Sequence, residues 1–218
     1  MMFVVFAILI AMGFAVLVLI LSSIMVSIVA GKLKGKPEII FGVLMQISII
    51  VFTLLIVFLV IKNPTILGTL LLPLISSAEG IMLAGLVSLL TCFLEARITK
   101  KCKPPIELRS IWEFMILAFI VAPIGEELLF RGLVEGYLLL SRVGLATSVI
   151  VPAVMFSLIH ILPYRNSPRP CLILVFTSSF AIGLIAGFFR ANTDSIILPI
   201  IIHLVGNISG FKYYPLNR

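Results

Sequence analysis

The chain has 218 residues, 61% of them hydrophobic and only 11% charged, with a mean hydropathy of +1.29, which excludes an ordinary water-soluble domain. Its formal net charge of +7 does not point to nucleic acid, because the basic residues sit in short loops between apolar runs rather than on one face or tail. An integral membrane protein is expected, as a single membrane domain over residues 1–218, since no polar stretch is long enough to bury a core of its own.

A bilayer core takes about 20 apolar residues per helix, and the need to satisfy backbone hydrogen bonds in lipid makes open spans helical. The expectation is therefore all-α: a polytopic transmembrane helix bundle of about seven to eight spans. The first run, 1–30, lacks a basic leader and is too long for a secretory signal, so it is expected to be retained as a span over about Phe3–Ala30. "GKLKGKPE" (31–38) ends it, the second span covers Ile39–Ile61, and "KNPT" (62–65) turns the chain. In 66–95, Pro73, the Ser76–Ser77 pair, Glu79 and Gly80 interrupt the apolar pattern. One span over Gly80–Glu95, with Ile66–Ala78 interfacial, is preferred; two short half-helices are the alternative. The fourth span follows the basic loop 97–109 and covers Ile111–Leu140. The remaining three cover Gly144–Leu162, Pro170–Phe189 and Ser195–Phe211.

Loop charge alternates along this order. Lys32, Lys34, Lys36, Arg97, Lys100, Lys101, Lys103, Arg109, Arg165, Arg169, Lys212 and Arg218 fall on one side, against Lys62, Arg142 and Arg190 on the other. The positive-inside rule then puts the basic loop and the C-terminal tail in the cytoplasm and the N-terminus outside. Cys92, Cys102 and Cys171 form an odd set without CxxC spacing, and free thiols are expected.

The fourth span carries "GEELLFRG" (125–132). A charged residue at mid-membrane costs about 2.5–3.5 kcal/mol on insertion scales, so this trio needs pairing or a function. Glu127 and Arg131 are four apart and can pair on one helix face, while Glu126, rotated by about 100°, lies outside that pair. Both histidines of the chain also fall in apolar spans, His160 in "FSLIH" and His203 in "HLVGN". Asn207 follows His203 by one helical turn, so the two project from one face. Phe156 stands in the same relation to His160, where bundle packing is the simpler reading. A carboxylate and a neutral imidazole can hold and deprotonate water, while imidazole and carboxamide N–H groups can donate to an oxyanion. Hydrolysis of an acyl bond fits this inventory.

Zinc is the rival, but HExxH is absent and the histidines come from different spans. No GxSxG supports serine catalysis. A proton-coupled transporter would also carry Glu and His in the membrane, although no inverted repeat is evident. Glycines four apart in "GLVEG", "GLIAG" and "GNISG" are expected to let helices approach closely.

Taken in order, "EELLFR" (126–131), "FSLIH" (156–160) and "HLVGN" (203–207) resemble the EExxxR, FxxxH and HxxxN motifs of the CAAX protease and bacteriocin-processing family, which includes the type II CAAX prenyl endopeptidases. The resemblance covers about 111–211. It implies a glutamate-dependent intramembrane endopeptidase without cofactor or metal, cutting near the C-terminus of a prenylated CAAX-type peptide or protein at a site open to the cytoplasm. It further implies that Glu126 and His160 activate the water, that His203 and Asn207 form the oxyanion hole, and that Glu127, Arg131 and Phe156 support them. Some relatives resemble bacteriocin-immunity proteins, so a non-proteolytic membrane protein is the alternative within the family.

Overall fold

The computed structural model describes residues 2–32, 38–98, 102 and 110–213. The helices in chain order are α1 (Met2–Ala30), α2 (Glu38–Ile61), α3 (Leu74–Arg97), α4 (111–140), α5 (Leu145–Tyr164), α6 (Arg169–Thr193) and α7 (Ile197–Gly206, continued by a 3-10 stretch, Asn207–Tyr213). Five of these, α1, α2, α3, α5 and α6, are long and apolar enough to cross a membrane. No strand forms among the described residues; Thr69 and Ser195 make an isolated parallel bridge.

The helices are built inside out relative to a soluble bundle. Large apolar side chains such as Phe3, Phe6, Leu59, Leu74, Ile75 and Leu89 face outward, while α1 buries Ala7, Ala11, Ala15, Val18 and Ser22 and α3 buries Ser77, Gly80, Ala84 and Ser88. Stripes of small residues at three- and four-residue spacing let backbones pack closely where lipid supplies no hydrophobic drive between helices. The outward apolar faces match a hydrocarbon solvent.

Residues 66–95 differ from the expectation. One helix spans Leu74–Arg97, starting six residues before the preferred boundary, because Pro73 stands in extended conformation as its N-cap and Ser77 Oγ bonds back to the Pro73 carbonyl. The residues ahead of it form a 3-10 turn, Pro64–Leu67, capped by Asn63, whose side chain accepts from Thr65 N. This turn lies against α4 so closely that a Cβ on Gly136 would run into the Ile66 carbonyl, and one on Gly132 would meet Leu67. The "GLVEG" glycines therefore admit a turn, not a neighbouring helix. The "GLIAG" pair does serve helix contact, with Gly183 against Ala153 of α5 and Gly187 against Val149 and Glu135.

The same segment fixes the α6–α7 corner. Thr69 N donates to the Asp194 carbonyl (2.6 Å), Ile196 N donates to the Thr69 carbonyl (2.9 Å), and Arg190 Nη2 donates to the Ile66 carbonyl (2.9 Å). Arg190, counted above among loop charges, is buried inside α6 and pairs with Asp194 at 2.6 Å. The corner in turn sets where α7 enters the bundle.

The thiol expectation fails in part. Cys102 and Cys171 are joined by a disulfide, which ties the segment after α3 to the first turn of α6, and only Cys92 is free among the described residues. The two cysteines lie 69 apart in sequence, and composition carries no sign that the loop folds back over that distance.

Candidate active site

α4 begins at Ser110, whose hydroxyl accepts from Glu113 N at 3.2 Å. It then passes through π-helical turns at Met115–Val121 and Leu128–Glu135, with one short α segment, Ala122–Glu127, between them. Pro123 sits in that segment and offers no N–H to the turn before it, and a π turn absorbs such a break by shifting the register of the residues beyond it. Glu126 and Glu127 end the α segment, about 100° apart around the helix.

Glu127 turns inward and is fully buried. Its Oε2 lies 3.3 Å from Arg131 Nε, and its Oε1 accepts from His203 Nδ1 at 2.9 Å. Arg131, also fully buried, reaches a second carboxylate, Glu135 Oε2, at 3.9 Å. Arg131 thus stands between two carboxylates, one of which, Glu127, also bonds the histidine from α7.

Glu126 faces a cavity of about 620 Å³ that is lined by residues of α1 to α7. Its Oε2 lies 3.5 Å from His160 Nε2 and 3.8 Å from His203 Nε2. His160 Nδ1 is 2.7 Å from the Phe156 carbonyl, which can only accept, so that nitrogen carries the proton. By the same logic His203 Nδ1 donates to the Glu127 carboxylate. Both rings therefore turn Nε2 toward one carboxylate oxygen. One ligand atom from each of Glu126, His160 and His203 falls within 4.8 Å of the others. A His–His–Glu set of this kind could hold either a water molecule or a zinc ion.

Phe156 is more than packing filler. Its ring centroid lies 4.2 Å from that of His160 and 5.2 Å from that of His203, and the Arg131 guanidinium stands over it at 5.2 Å. Asn207 lines the cavity one turn beyond His203, with Nδ2 donating to the Ala118 carbonyl at 2.7 Å. All seven residues singled out in the sequence thus lie together, around the cavity or directly behind it.

Three others were not anticipated. Gln46 of α2 donates from Nε2 to Glu126 Oε1 at 2.9 Å; a lone carboxamide in an apolar span was the available signal. Glu135 and Arg190 extend the buried charges of α4 and α6. Glu135 lies inside "GLVEG", where the glycine spacing masks it, and Arg190 looks like a loop residue until the end of α6 is known.

The described helices thus form a polytopic membrane bundle in which a mostly buried carboxylate faces two imidazoles over a cavity. Residues 108–209 match the family model described as Type II CAAX prenyl endopeptidase Rce1-like. That segment contains all three motifs and is similar to this family, a likeness that points to a peptidase. No curated protein and no solved structure matches the chain.

Proposed function

We propose that the chain is a glutamate-dependent intramembrane endopeptidase that cuts a prenylated CAAX-type peptide near its C-terminus. The observation that carries the reading is one carboxylate oxygen, Glu126 Oε2, facing the Nε2 atoms of His160 and His203 at 3.5 and 3.8 Å. A water between Glu126 and His160 gives a proton to Glu126 as its oxygen attacks the scissile carbonyl carbon. When the tetrahedral intermediate collapses, the C–N bond breaks and Glu126 returns that proton to the leaving amine.

The oxyanion falls to His203 and Asn207. The Nδ1 proton of His203 is committed to Glu127, so His203 donates from Nε2 only when it holds both protons, and the Glu127 carboxylate behind it compensates that cation. Asn207 has a second N–H beyond the one given to Ala118. Preorganised donors of this type typically contribute about 10²–10³ in kcat. The cavity walls, including Leu19, Met45, Ile49, Leu117, Leu174 and Ile182, are apolar and suit an isoprenoid chain.

The loop charges favour a site facing the cytoplasm. The spacing of the three ligand atoms would accept zinc as readily as water; the family resemblance favours water and no metal. Purified protein in detergent is expected to release the three C-terminal residues of a farnesylated CAAX peptide, detected by mass spectrometry. Glu126→Gln, His160→Ala and His203→Ala should each abolish release while leaving the helical circular dichroism unchanged. Wild type that binds the peptide without cleaving it would return the chain to the non-proteolytic alternative.

A further inference from the structure

We infer that Gln46, on a helix outside the residues that match the family, is a positioning residue that aims the Glu126 carboxylate at the two histidines. This rests on the hydrolytic reading above, since it assigns Glu126 a direction only that chemistry needs.

Gln46 lies half-buried in the apolar run of α2, where a carboxamide without partners is costly. It spends its amide on one group. Nε2 donates to Glu126 Oε1 at 2.9 Å, and a carboxylate opposite can only accept, so the nitrogen must face Glu126 and the Gln46 oxygen must face away. With Oε1 held by α2, Oε2 is the oxygen left toward His160 and His203.

The fit of α2 against α4 depends on this side chain. A Cβ on Gly125 would stand 2.6 Å from Gln46 Oε1 and 3.2 Å from the Gln46 carbonyl. The residue before Glu126 is therefore a glycine with Gln46 seated against it. The two histidines are aimed by partners of their own, the Phe156 carbonyl and the Glu127 carboxylate. Gln46 supplies the corresponding hydrogen bond for Glu126, so all three groups around the water position are fixed from behind.

Removing the amide frees the carboxylate to rotate while leaving the peptide-binding walls in place. Misplacing a reacting group by about 1 Å costs about 10²-fold. Gln46→Leu and Gln46→Met, close in size and apolar, are expected to lower kcat about 10- to 100-fold with KM unchanged and thermal stability retained. Gly125→Ala should reproduce the kcat loss with the amide still present, because its methyl displaces Gln46.

A second readout does not depend on turnover. The carboxylate stretch of Glu126, isolated by infrared difference against Glu126→Gln, should shift in Gln46→Leu or Gln46→Met. A wild-type protein that fails to cleave defeats the endopeptidase reading and leaves the infrared band to decide the role of Gln46. Wild-type kcat in both apolar variants, or an unmoved Glu126 band, overturns the inference.

Discussion

Arg131 contacts both carboxylates buried behind the site. It is fully buried, with Glu127 and Glu135 on either side and the Phe156 ring beneath its guanidinium. Removing one member of a buried charge set strands the others, at about 3–5 kcal/mol. Arg131→Met is therefore expected to lower the melting temperature in detergent sharply, and Arg131→Met combined with Glu135→Gln should recover part of the loss by removing one stranded carboxylate. A double variant no more stable than the single one would show that Glu135 is not coupled to Arg131. At this scale the pairing of Glu127 with Arg131 could be read from a four-residue spacing, because neighbours on one helix are fixed by local geometry. Gln46 could not be assigned to Glu126 in the same way, since the two come from different helices, 80 residues apart.

Between elements, close approach depends on a few positions without side chains. Gly136 lets the 64–67 turn sit against α4, and that turn holds the 194–196 corner from which α7 carries His203 and Asn207. Gly136→Val is expected to destabilise the protein by about 1–3 kcal/mol through overpacking and to reduce cleavage as the corner shifts. Gly13→Ala in α1 is the control, since a Cβ there meets nothing within 4 Å and gains helix propensity. Equal melting temperatures for Gly136→Val and Gly13→Ala would contradict the role given to the turn. Apolar runs and proline placement made most helices legible to within a few residues. They did not reveal the π turns of α4 around Pro123, nor that α3 starts at Leu74, because both depend on backbone pairing that hydropathy does not register. The Cys102–Cys171 bond escaped for a related reason: it joins elements that only the folded bundle brings side by side.

For the whole molecule, the all-α membrane bundle followed from composition, whereas its orientation rests on loop charges. Lys34, Lys36, Lys100, Lys101, Lys103, Arg109 and Arg218, most of that evidence, lie outside the described residues. The site was legible as three motifs on three apolar spans, and the fold brings those motifs to one cavity, where Glu126 is 12% exposed and His203 4%. That convergence supports hydrolysis but suits metal as well as water, so metal dependence is the most direct test of Glu126 as the base. Protein dialysed against a strong chelator and checked for residual metal by mass spectrometry should cleave the farnesylated peptide at the untreated rate, while Glu126→Gln stays inactive with or without added zinc. Activity lost on chelation and restored by stoichiometric zinc would make Glu126 a ligand and contradict the account.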